Sequence, residues 1–411
     1  MAVSANSAER ADALMELGQV ARRDEKWAVA RDNFGAAAEL FAELGSDYEF
    51  VKASYSIGYC QARLQQHDAA VPNLMIALER ARELNDSQDI AYSAGPLGDC
   101  LEALSRYKES IEVYELAVSA YEDLGEKGPA GYGSLSLGDI CLRLAEQAKA
   151  KAHFERAIAF FQEDADAFSA AFARERLAFA LMEVGSGEQA VGVLSQALSV
   201  YEFLEAEERI ADTHLRLGIA HLRTSRFIPA KKHLQVAIAN FRKHNDFHRA
   251  ALAEVQLVFA KLFGDPEERH GDDYTSLSRA IAYLEAAGDK AAVAEARSIE
   301  ARYSMVKSRF EEAVHLWKRV LVEAREFESR ALVQTATTNL ARCYLEIGAH
   351  ANGRTLLKQV DPSHWGDNKA EKENYFGALA LADSKPTEDA EEPAFRCGNA
   401  VQSWVEMMQL P

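Results

Sequence analysis

Glycine recurs through this chain on a 40-residue ruler. Gly18, Gly58, Gly98, Gly138 and Gly218 stand on it, Ala178 fills the slot between the last two, and Val258 continues the count. An apolar residue precedes each glycine: Leu17, Ile57, Leu97, Leu137 and Leu217. Twelve residues after each anchor comes a small side chain, Ala30, Ala70, Ser110, Ala150, Ala190 and Ala230. Sixteen after it comes a large one, Phe34, Leu74, Tyr114, Phe154, Leu194 and Leu234, and nineteen after it an alanine, from Ala37 to Ala237. Anchors at Ala301 and Ala341 add Ala313, Trp317 and Val320, then Gly353, Leu357 and Val360, for nine units in all.

The stretch from Leu137 to Ile158 shows what this pattern demands. Apolar residues recur at three- and four-residue steps on both sides of Ala145-Glu146-Gln147, which predicts two amphipathic helices around a tight turn. Two helices that cross closely need a position with little side chain, which Gly138, Ala150 and Ala157 supply, and Phe154 fills the space beside it. A single such hairpin cannot bury its apolar face, so the units must stack on one another.

Leu-Gly, then Ala, then an aromatic or Leu, then Ala at these offsets resembles the signature of the tetratricopeptide repeat (TPR) family, over roughly residues 9–361. The usual unit of that family is about 34 residues long. Here it is 40, and Ala42, Arg82, Glu122, Gln162, Glu202 and Arg242 stand where the family has its helix-ending proline. Longer helices, as in the kinesin-light-chain type of array, are therefore implied. The resemblance implies an all-α fold, a right-handed superhelical solenoid of antiparallel helix pairs with a concave groove. It implies no single function, because such arrays serve many partners.

Composition narrows the functional classes. The formal charge is −18, from 64 acidic and 46 basic residues, and no long basic run offers phosphate neutralisation, so a nucleic-acid partner is not expected. No run of about 18 apolar residues exists to span a membrane, and residues 1–7 lack the basic and apolar regions of a secretion signal. Cys60, Cys100, Cys141, Cys343 and Cys397 form no CxxC pair. They read as buried reduced thiols, and hence point to a cytoplasmic location.

The boundaries follow from where the ruler starts and stops. Residues 1–8 are expected to be a flexible N-terminus and 9–361 the repeat array. Residues 362–383 are expected to be a helix closing its end, 384–394 an acidic disordered linker, and 395–411 a short amphipathic tail. That tail, through Val401, Trp404, Val405 and Met408, could close the array further or occupy a groove as an internal partner. Gly95-Pro96 inside the first helix of unit 3 should kink or delay that helix. In unit 7 the turn between helices becomes Gly264–Asp273, whose acids lack the spacing of a calcium loop and read as a solvated loop.

No catalytic set emerges. There is no phosphate-binding Gly-rich loop, GxSxG elbow or HExxH. His244 and His248 flank an inter-repeat turn without a third ligand, and His214 and His221 are explained by packing. No enzyme activity, cofactor or metal is therefore expected. The resemblance places the groove on the first helix of each unit, at six and three residues before the anchor and one, four and five after it. Tyr92, Tyr132 and Phe172 stand six before their anchors; Tyr55 stands three before, Tyr59 and Phe179 one after, and Arg63, Arg143 and Arg223 five after. Aromatic faces and guanidinium groups along a groove suit an extended or helical protein segment bearing carboxylates. The alternative is that the aromatics pack between neighbouring first helices and the arginines pair with Glu102, Glu175 or Glu183. The expected function is a non-catalytic interaction scaffold, with a peptide-sensing regulator that changes shape on binding as the alternative.

Overall fold

The computed structural model describes residues 2–264, 273–361 and 369–384. The described residues are helical apart from short turns. They fall into two compact units, one of Met1–Glu183 with Val193–Leu204, the other of Val184–Gly192 with Glu205–Pro411.

The first unit contains α1 (Ala2–Arg23), α2 (Trp27–Leu44), α3 (Asp47–Arg63), α4 (His67–Leu84), α5 (Ser87–Ala103), α6 (Tyr107–Leu124), α7 (Lys127–Arg143), α8 (Gln147–Glu163) and α9 (Ala167–Glu183). The helix α10 (Gly187–Phe203) contributes its start to the second unit and the rest to the first. The second unit continues with α11 (Glu207–Arg223), α12 (Phe227–Lys243), α13 (Phe247–Gly264), α14 (Asp273–Ala286), α15 (Lys290–Val306), α16 (Phe310–Glu326), α17 (Arg330–Glu346), α18 (His350–Leu357) and α19 (Lys369–Ser384). Within each unit most successive helices pack on one another, and several odd-numbered helices also touch the next odd-numbered one, as α3 does α5 and α13 does α15.

The anchor glycines sit where the helices of a pair cross. A Cβ placed on Gly138 would stand 2.5 Å from Cε1 of Phe154, one on Gly18 2.5 Å from Cε1 of Phe34, and one on Gly218 2.6 Å from Cγ of Leu234. Phe34, Phe154 and Leu234 are themselves fully buried. The 16-residue offset between glycine and large residue is thus one contact repeated along the chain.

The turns repeat as strictly as the crossings. A residue with positive φ stands at every twentieth position from Glu25 to Asn245 and, after a shift of three, from Gly288 to Gly348 within the described residues. Its N–H and that of the following residue bond back to the helix just ended: Gln65 N donates to Ala62 O at 2.9 Å, and Gln66 N to Gln61 O at 2.9 Å. These are left-handed helix terminations, which tie up carbonyls that the helix leaves unpaired. Five of the positions are glycine, and eleven, including Ala145 and Ala165, are not.

Two features depart from the expectations above. The helix α1 begins at Ala2, so the stretch expected to be flexible up to residue 8 is drawn into the first helix. The helix α5 runs unbroken through Pro96, since Ala94 and Leu97 on either side are buried in the core and hold the segment in place. At the C-terminal end α18 is short, and α19 lies against α17 and α18 with Tyr375, Ala378 and Ala382 in their core cluster. The acidic loop after Gly264, the linker after Ser384 and the tail from Phe395 lie outside the described residues, apart from Asp273.

Candidate functional site: the exposed face of the first helices

In the first unit the expected residues lie on α3, α5, α7 and α9. Tyr55 and Tyr59 lie one turn apart on α3 with their rings tilted to one another, 6.1 Å between centroids, and Tyr59 meets Trp27 of α2 edge-on at 6.0 Å. The Arg63 guanidinium lies 5.0 Å over the Trp27 ring. Tyr55 is the most enclosed of these: it packs against the α4–α5 cluster, and burial pushes its phenol up to about 12. For Tyr55 packing between helices therefore dominates, whereas Tyr92 and Tyr132 are 40% and 55% exposed. The Tyr132 ring rests edge-on against Phe161 at 4.9 Å, and its hydroxyl shares a 2.9 Å hydrogen bond with Ser169 Oγ of α9. Phe172 is half-buried and Phe179 exposed. Arg143 Nε stands 3.8 Å from a Glu102 oxygen and the guanidinium remains largely open to solvent.

Two members of this face escaped the sequence reading. Arg176 donates to Asp139 Oδ1 through Nε at 2.8 Å and Nη2 at 2.6 Å, and its guanidinium lies 6.0 Å over Phe179. Asp99, one residue after its anchor, accepts a hydrogen bond from the Tyr114 hydroxyl; burial raises the Asp99 carboxyl while that hydrogen bond pulls it down.

In the second unit the same face forms a cavity of about 710 Å³. Ile219, Phe259 and Arg302 line it from one position after their anchors, Glu295 and Thr335 from six before, Ser298 from three before, and Arg223 from five after. Gln256 and Ile299 line it from two before, an offset the sequence reading did not use. Helical geometry would have supplied it: steps of four, three and four from six before the anchor land on two before, one after and five after, all on one face. The groups here are fixed by one another, as Gln256 Nε2 donates to Glu295 Oε1 at 2.9 Å.

Other clusters are self-contained. Arg297, buried beside a 540 Å³ cavity, has nitrogens in ion pairs with Glu285 and Glu323. His244 Nε2 meets Glu207 at 2.9 Å and His248 Nε2 meets Asp289 at 3.0 Å, so these two imidazoles face different carboxylates. Cys60, Cys100, Cys141 and Cys343 are buried free thiols, and burial pushes Cys60 and Cys100 up to about 11. Among the described residues no helix is long and apolar enough to cross a membrane.

Comparison with known proteins bears on the fold. Residues 49–123, covering α3 to α6, match the tetratricopeptide repeat family. No curated protein matches the sequence. The apo form of RapI superposes with a TM-score of 0.58 at 11% identity, over 89% of this chain and 98% of that protein. A signal transduction ATPase with numerous domains and a tetratricopeptide repeat sensor, from Pyrococcus horikoshii, gives a TM-score of 0.52 at 16% identity, over 69% of this chain and 44% of that one. A putative kinesin light chain of Podosopora anserina aligns over 48% of this chain at 17% identity with a TM-score of 0.41. At these identities the likeness is one of fold, an all-α solenoid of helix pairs.

Proposed function

We propose that this chain, a tetratricopeptide-repeat protein, is a non-catalytic cytoplasmic scaffold that holds a segment of a partner protein against its first helices. The observation that carries the reading is the 710 Å³ cavity of the second unit, lined from four successive first helices and the turns entering them. A concave site with apolar walls and a few fixed polar groups is what a peptide or helix needs for orientation and burial. Exposed Tyr92, Tyr132 and Phe179 offer aromatic anchors on the first unit, and Arg143 and Arg223 offer donors for carboxylates. The buried free thiols support a reducing compartment.

The test is a pull-down followed by mass spectrometry, repeated with Arg143→Glu and Arg223→Glu combined. The expected outcome is a discrete protein partner whose capture is lost in the double variant while helical circular dichroism and melting temperature stay unchanged. Capture that survives the double variant removes the arginines from the recognition surface. Retention of a short peptide in place of a protein favours the sensor reading.

A further inference from the structure

The third repeat lacks a side chain on the exposed face of its first helix. Three residues before its anchor stands Gly95, where the neighbouring repeats carry Tyr55 and Leu135. Apart from the helix's own backbone, a Cβ placed on Gly95 would meet only the Tyr121 hydroxyl, at 3.9 Å. The surface of α5 is therefore notched, with that hydroxyl of α6 at the floor. Tyr92 stands three residues before Gly95 and Asp99 four after it, so the two flank the notch on one face of the helix. Both are exposed. Tyr55 of α3 and Tyr121 of α6 pack against the same core cluster, close enough to Tyr92 to act on its ring's partners in ionisation.

Charge around the notch is unevenly matched. Of three carboxylates on this face, Glu102 has Arg143 at 3.8 Å and Asp139 has Arg176 at 2.6 Å. Asp99 accepts a hydrogen bond from the Tyr114 hydroxyl and, among the described residues, forms no ion pair. His67 of α4 acts on Asp99 only across a distance, and Arg22 of α1 acts on Tyr55. A phenol hydroxyl satisfies one oxygen of a carboxylate and leaves its charge in place. An uncompensated carboxylate beside an exposed aromatic ring suits a cation, which the ring face attracts and the carboxylate pairs with. A gap the width of one missing side chain suits the aliphatic stem that a long basic side chain lays on apolar surface.

We infer that the notch at Gly95 holds a lysine or arginine side chain of the bound segment, its stem against Tyr92 and its cation on Asp99. The inference rests on the scaffold reading above and names the side chain that the first unit selects.

Ligand-observed saturation-transfer NMR on the full chain tests it with three probes. N-acetyl-lysinamide and N-acetyl-argininamide carry the two cations, and N-acetyl-norleucinamide keeps the stem without a charge. Saturation of at least one cationic probe and not of the norleucinamide is expected, and the stronger of the two identifies the cation. Asp99→Asn keeps an acceptor for the Tyr114 hydroxyl and should weaken that probe about tenfold, the loss of one charge-assisted contact. Gly95→Leu fills the notch as Leu135 fills its counterpart and should abolish binding. If a leucine before Pro96 disturbs the helix, Asp99→Asn still decides the question. Equal saturation of cationic probe and norleucinamide, or cation binding unchanged in Asp99→Asn, overturns the inference. Neither probe nor variant involves Arg143 or Arg223. Probes that fail while partner capture still depends on those arginines sink the notch alone; probes that discriminate while no partner is captured sink the scaffold reading alone.

Discussion

At the scale of the single residue, this chain is a contrast between glycines that are needed for space and turns that lack them. Gly138 faces the Phe154 ring with no room for a side chain, so Gly138→Leu should destabilise by about 1–3 kcal/mol through overpacking. Gly192 has nothing within 4 Å of its would-be Cβ and lies inside α10, so Gly192→Ala should stabilise by about 0.5–1 kcal/mol through helix propensity. Chemical denaturation of the two variants checks the opposite signs. At the turns the argument reverses. Ala145 and Ala165 are exposed with φ of 56° and 58°, a conformation that an L-residue adopts at a cost. Unlike Asn85 and Asn245 at equivalent turns, they have no side-chain amide to compensate. Ala145→Gly and Ala165→Gly should each raise stability by about 0.5–1 kcal/mol, read as a rise in melting temperature. A fall at both sites would mean that backbone entropy outweighs the strain.

At the scale of the element, the α11–α12 pair carries a titratable seam. His214 Nδ1 and His233 Nδ1 lie 2.9 Å apart, and the His221 ring stacks on that of His233 at 5.5 Å between centroids. Burial, and next the neighbouring His233, push His214 down to about 4; burial lowers His221 and His233 as well, and Arg226 and Glu188 act on His221 in opposite directions. A histidine whose folded pKa is below its ordinary 6.5 binds fewer protons folded than unfolded, so its stabilising effect is complete above 6.5 and is lost as pH falls toward 4. Hydrogen exchange in α11 and α12 should therefore accelerate between pH 6.5 and 4, after correction for intrinsic rates, and His233→Gln should flatten that dependence. A profile unchanged by the substitution would place the pH sensitivity elsewhere. The sequence showed His214 and His221 on one helix, but His233 joins them only through the pairing of α11 with α12, which spacing along one helix does not reveal.

At the scale of the whole molecule, the repeat was legible because one contact recurs. The glycine and the large residue sixteen positions later meet in each pair that retains the glycine, so the periodicity in the sequence is the periodicity of the crossing. The face of the first helices was legible in outline for the same reason, and Arg223 does line the second unit's cavity. What stayed hidden depends on partners from other helices: the Arg176–Asp139 pair joins α7 to α9, and the Asn339–Asn374 hydrogen bond needs α19 beside α17. Tyr55 shows the converse, since a position that reads as groove is enclosed when the next pair closes over it.

The twenty-residue rhythm of left-handed turns bears on how the chain is made. Each turn returns the backbone onto the helix it has just completed, and most of the helix contacts join neighbours in sequence. Such a fold has low contact order, so loop closure removes little chain entropy at any step. A hairpin emerging from the ribosome already has its partner helix in hand. Folding can then keep pace with synthesis, one forty-residue unit at a time, with each finished pair serving as the template on which the next one condenses.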